Sequence, residues 1–190
     1  GAVDGYFESP TYQLYIQYGW KGILVDANKK LLQFAKYYRP HDEIVFSACS
    51  SFKNEKKNKT IKFLPLHHSG EIYYSDDQID PFAKIMKDKL KLEPEIVPLS
   101  TLSKIILNSK ILRNNSLDLI VIDVEGHEIH VLQGIDFDLI KIKYFLIESR
   151  TKEEFFNIKK FLEKKSFKFI TQTSDIDYLY QYSNKSILID

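Results

Sequence analysis

A single cysteine, Cys49, stands in 190 residues, so an internal disulfide and an all-cysteine zinc site are both excluded. Only 7 Gly and 6 Pro interrupt the chain, which favours regular elements over long irregular segments. Charge of one sign is lacking too: 27 Lys+Arg against 26 Asp+Glu leaves a net +1. That balance argues against a protein that coats nucleic acid or an anionic membrane with positive charge, so no nucleic-acid partner is expected. No apolar run approaches the roughly 20 residues that span a bilayer, and no secretory leader is visible. With 44% hydrophobic residues, these features lead us to expect one cytoplasmic domain over residues 1–190.

The punctuation marks several helices. Ser9-Pro10 reads as an N-cap followed by proline in the first turn, with Gly19 as the stop. Asp80-Pro81 repeats the signal, and Phe82, Ile85, Met86 and Leu90 then share one helical face. Ser100 is placed to cap a short helix carrying Leu102, Ile105 and Ile106. Phe155, Ile158 and Leu162 form a stripe within a helix over about 152–165.

Between them lie short, nearly continuous apolar runs at 22–25, 44–46, 117–122 and 144–147, as expected of strands covered by helices on both faces. The runs at 167–170 and 178–180 alternate more. The order predicts an α/β fold with a doubly wound, mostly parallel sheet and an antiparallel C-terminal edge.

In such sheets ligands bind beyond the carboxyl ends of the strands. Val25 is followed by Asp26, Ile122 by Asp123-Val124-Glu125-Gly126-His127-Glu128, and Ile147 by Glu148. Any one of these acids alone reads as a cap or a solvated turn; three on one rim point to a site. Gly1-Ala2-Val3-Asp4-Gly5 has the form of a glycine turn leading into a helix, and Asp26 follows at about the 20-residue spacing of a ribose-binding acid. The Gly-x-Gly-x-x-Gly and Walker patterns are both absent. A ligand with ribose and no phosphate fits best, and S-adenosyl-L-methionine is such a molecule.

These segments, with Arg39-Pro40, Ala48-Cys49-Ser50, Thr101-Leu102 and Val131-Leu132-Gln133-Gly134, resemble the FkbM family of S-adenosylmethionine-dependent methyltransferases over residues 1 to about 150. The Asp-x-Glu-Gly-x-Glu stretch from Asp123 to Glu128 is the most specific part. The resemblance implies a class I, Rossmann-like methyltransferase fold and methyl transfer to a hydroxyl of a small molecule, sugar or glycan. It also implies that Gly1, Ala2, Asp4 and Gly5 line the methionine and ribose part of the cofactor. Asp26, where the family more often has Glu, would hold the ribose hydroxyls. Ala27 and Asn28 would flank the adenine, with Ala48, Cys49 and Ser50 on its other side. A central strand is expected before Gly1, hence a longer natural chain.

For the reaction, Asp123 and Glu125 point the same way if extended and would position the acceptor. His127, at a helix start that disfavours its protonated form, or Glu125 would take the proton, with Glu148 a further candidate. Asp123, Glu125 and His127 could alternatively hold a divalent cation, although no metal is expected. His127 and His130 are three apart, which misses the zinc-protease spacing. His67-His68-Ser69-Gly70 and Tyr73-Tyr74 fall where a substrate-facing insertion would lie, and Trp20 is expected to pack. The alternative to an enzyme is a binding module that keeps the fold without catalysis.

Overall fold

The computed structural model describes residues 1–7, 9–66, 70–75 and 78–183. In chain order these form α1 (Tyr12–Tyr18), β1 (Ile23–Asp26), α2 (Lys29–Tyr38), β2 (Glu43–Phe46), β3 (Ala48–Cys49), α3 (Phe52–Lys57), β4 (Thr60–Pro65) and β5 (Gly70–Tyr73). There follow α4 (Pro81–Leu90), β6 (Glu95–Ser100), α5 (Leu102–Leu107), β7 (Ser116–Ile122), α6 (Glu128–Leu132), β8 (Lys141–Glu148), α7 (Lys152–Glu163), β9 (Phe167–Gln172) and β10 (Asp177–Tyr182). Among the described residues no helix is long and apolar enough to cross a membrane.

The strands fall into three hydrogen-bonded groups, where one sheet was expected. β1 and β2 pair in parallel, and β7 and β8 do the same. β8 continues into the antiparallel order β8-β10-β9, which is the expected C-terminal edge. Between the two parallel pairs lie residues 1–3, where the Ala2 N–H donates to Val25 O at 3.0 Å and the Gly1 nitrogen meets Asp123 O. This segment ties the carboxyl ends of β1 and β7 together without forming a ladder.

The third group, β3-β6-β4-β5, is mixed and was not anticipated. β6 contains Pro98, which lacks a donor and so hides a strand in sequence. Its carbonyl instead accepts from Ser47 Oγ at 3.2 Å.

The helices depart from expectation at two starts and on one face. Thr11, rather than Ser9, holds the N-cap position of α1, and Pro10 lies in the preceding turn closed by Tyr12 N–H to Ser9 O at 3.1 Å. Thr101, rather than Ser100, caps α5 by accepting from Lys104 N. On α4 the Asp80 cap is as expected, accepting from Phe82 N and Ala83 N, but Phe82, Ile85 and Leu90 face solvent. The helix docks through small Ala83, packed with Leu64 and Tyr73. Gly19 ends α1 at φ 66°, in the left-handed region that glycine adopts freely.

The main core lies under β7 and β8, where Ile122, Phe145, Ile147, Leu132, Ile158 and Leu162 are nearly or fully buried. Each such side chain contributes about 1.5–3 kcal/mol on burial. This packing fixes the carboxyl ends of the two strands, and with them Asp123 and Glu148.

Candidate active site

β1 alternates so that Leu24 and Asp26 face the interior together. Leu24 packs with Leu32 and Ala35 of α2, which delivers the Asp26 carboxylate to the strand end at 9% exposure. There Oδ2 accepts from Val3 N at 2.8 Å and Oδ1 from Asn28 N at 2.7 Å. A Cβ on Gly1 would come within 2.5 Å of Asp26 Oδ2, so only glycine lets the main chain lie this close. Each oxygen keeps a second acceptor direction, so the carboxylate can still take a pair of hydroxyl donors.

Asp26 opens onto a cleft whose walls include Ala27, Asn28, Leu31, Ala48, Cys49, Phe63 and Ile72. Its empty volume is about 720 Å³, counted out to the open mouth. Small residues and apolar faces of this kind suit a flat ring. Burial pushes the Cys49 thiol up to about 12, which makes it a packing group and not a nucleophile.

The far side of the cleft is built by the turn after β7. Glu125 at φ 59° and Gly126 at φ 92° reverse the chain in left-handed conformations. Buried Glu128 holds that reversal, its Oε1 accepting from Val124 N at 3.0 Å and Gly126 N at 3.1 Å. Asp123 and Glu125 line the cleft. Glu125 pairs with Arg150 Nη2, while Arg150 Nε reaches Glu148 Oε1 at 3.1 Å. Burial raises the pKa of Glu125, as does Asp123, against the opposing pull of Arg150. Burial and the neighbouring Asp123 raise that of Glu148 to about 7.

The cleft thus brings together Gly1, Asp26, Ala27, Asn28, Ala48, Cys49, Asp123 and Glu125 from the expected set. Six expected residues lie outside its walls. Ala2 packs against the Leu24 cluster. Asp4 Oδ1 accepts from Tyr6 N at 2.9 Å and Phe7 N at 2.8 Å, capping its own turn. Gly5, at φ 69°, leaves no room for a Cβ beside Leu24. Ser50 is buried, with Oγ accepting from Asn54 Nδ2 at 2.9 Å. His127 bonds to the Ile72 backbone. Its pKa is lowered by burial first and then by His130, a different cause from the helix-start effect expected. Glu148 sits beside Asp123, off the cleft wall.

Tyr73 belongs to the core and does not face a substrate, while Tyr74 OH lies 3.4 Å from Ser50 Oγ. Trp20 is 40% exposed, so it does not pack as expected. His67, His68 and Ser69 lie outside the described residues. Among those described, no cluster of three or more His, Cys, Asp or Glu is arranged to hold a metal.

Three residues have roles that residue order did not indicate. Arg150 is the cation of the acidic rim, and Glu128 braces the turn. Arg39, 2% exposed, bonds Asp42 Oδ2 at 2.6 Å, Thr11 Oγ1 at 3.1 Å and Gly5 O at 3.4 Å, locking the glycine turn to α2. Arg150 follows Glu148 by two residues, the one local sign of its pairing.

The fold is thus that of an α/β protein with an acid-lined cleft at the carboxyl ends of its parallel strands. The chain belongs to the FkbM methyltransferase family: residues 1–178 match the description "Methyltransferase FkbM domain". Comparisons with curated proteins and with solved structures returned no match.

Proposed function

We propose that this chain transfers the methyl group of S-adenosyl-L-methionine to a hydroxyl of a sugar-like or other small acceptor. The observation that carries the reading is the placement of Asp26 and Asp123 in one cleft, an acid for ribose on one wall and an acid for the acceptor on the other. Methyltransferases of this family class generally use that cofactor, and the residues present fit it. Asp26 would accept from the ribose hydroxyls, and the Gly1 main chain would border them. Ala27, Asn28, Ala48 and Cys49 would enclose the adenine. When bound, the cofactor supplies an electrophilic methyl on a sulfonium.

The chain's own work is then alignment and proton removal. Holding the acceptor oxygen in line supplies much of the acceleration. Asp123, exposed at the mouth, is the acid free to meet the hydroxyl and take its proton. Glu125 is drawn toward Arg150 and orients the acceptor. His127 lies off the cleft wall, so Asp123 is the nearer group to take the proton.

The test is transfer of an isotope-labelled methyl group to a panel of polyols, sugars and hydroxylated metabolites. Label that survives mild alkali marks an ether, the product expected here; label released by alkali marks an ester and would overturn hydroxyl specificity. Cofactor binding without transfer to any acceptor would favour a non-catalytic binding module.

A further inference from the structure

Glu148 is only 4% exposed, yet its Oε2 meets no donor among the described residues. Its other oxygen accepts from Arg150 Nε. Ile122 of β7 is level with Ile147 of β8, so the next residues, Asp123 and Glu148, end side by side. On the opposite edge Asp177 of β10 is the register partner of Glu148, its carboxylate taken up by Ser174 Oγ at 2.6 Å. Glu154 of α7 accepts from Arg150 N at 2.8 Å and adds another anion to this end of the sheet. Among the described residues the Arg150 guanidinium faces these acids, and Glu148 shares it with Glu125, which also feels the Gly1 ammonium.

An acceptor atom buried without a donor and set beside a second carboxylate is satisfied by a proton between the two. We propose that Asp123 and Glu148 share one proton, carried on Glu148 and donated to Asp123, and that the pair meets the acceptor hydroxyl through Asp123. The proposal rests on the methyltransferase reading above. As the acceptor oxygen bonds to the methyl carbon, the carbon–sulfur bond breaks and its electron pair stays on sulfur, leaving a thioether. Asp123 takes the hydroxyl proton and passes it to solvent from its exposed side. Glu148 is a positioning residue: its donated hydrogen bond fixes Asp123 and never touches the substrate. The upward shift of its carboxyl agrees with this arrangement.

The experiment is infrared spectroscopy of the whole chain with S-adenosylhomocysteine bound, following the carbonyl band of a protonated carboxylic acid from about pH 5 to about pH 9. The band is expected to titrate near 7 and to be absent in Glu148→Gln. In Asp123→Asn, which gives a second readout should the first variant fail to fold, it titrates about one unit or more lower. Turnover separates the role from simple packing. Glu148→Gln, whose amide still donates to Asp123, stays within about tenfold of wild type and loses the inflection near neutral pH. Glu148→Ala falls about 100-fold at unchanged cofactor affinity. A band confined to the ordinary carboxylic-acid range, or one indifferent to Glu148→Gln, with the cofactor product bound, would overturn the proposal alone. Absence of S-adenosylhomocysteine binding would overturn the reading beneath it.

Discussion

Asp26 and Glu148 are both carboxylates, both buried, and both the last residue of a parallel strand, yet their surroundings differ in kind. Asp26 faces backbone donors, Val3 N and Asn28 N, one to each oxygen. Glu148 faces Asp123 and Arg150 and keeps one oxygen without a donor. Backbone N–H groups are fixed by the fold and cannot titrate, so they hold the Asp26 carboxylate in one orientation. Side chains that compete for one guanidinium form a rim whose proton content changes with pH. Asp26 is held by main chain, whereas Glu148 answers to the side chains around it.

The comparison can be sharpened by breaking each side in turn. The largest loss of stability is expected from Arg39→Ala, which leaves the buried Asp42 carboxylate without its counter-charge, bonded among the described residues only to Gly22 N, and frees Gly5 from α2; denaturant unfolding should show a loss of about 3–5 kcal/mol. On the other wall, Asp123→Ala should lower turnover by about 100-fold or more, with a much smaller change in cofactor affinity, read by steady-state kinetics beside calorimetry. Gly5→Ala forces a side chain at φ 69° against Leu24 Cδ1, and should reduce stability by about 1–3 kcal/mol without touching the acidic rim.

The pH dependence tests the rim directly. The folded Glu148 carboxyl is raised from its ordinary 4.5 to about 7, so the folded chain keeps a proton that the unfolded chain has already released. Its stabilising contribution is full below about 4.5 and is lost as pH rises through about 7. The melting temperature of wild type should fall relative to that of Glu148→Gln across that interval, because the neutral amide resembles the protonated acid and does not titrate. The smallest effect belongs to Lys143→Ala. It removes an exposed pair with Asp118 far from both walls and should leave the melting temperature unmoved.

Much of this arrangement was readable from residue order. Continuous apolar runs marked β1, β2, β7 and β8, and the acid after each of three of them marked the rim. Tertiary geometry decided the rest. The third strand group was hidden because β6 carries Pro98 and β4 follows a lysine-rich run. The face of α4 was misjudged because Ala83, too small to weigh in a hydrophobic stripe, makes its contact. Ala2, Asp4 and Gly5 turned out to shape the turn beside the cleft, since Asp4 caps its own backbone and Gly5 is crowded by Leu24. Arg150 and the isolated oxygen of Glu148 depend on pairings between β7, β8 and the turn after β7, which no local pattern encodes.

The most direct measurement is calorimetric titration of S-adenosylhomocysteine into wild type and Asp26→Ala side by side. The account predicts binding to wild type and affinity about 100-fold weaker in the variant, as expected when two hydrogen bonds to a charged group are lost. No binding to the wild-type chain, or equal affinity for both, would contradict a cofactor seated on Asp26.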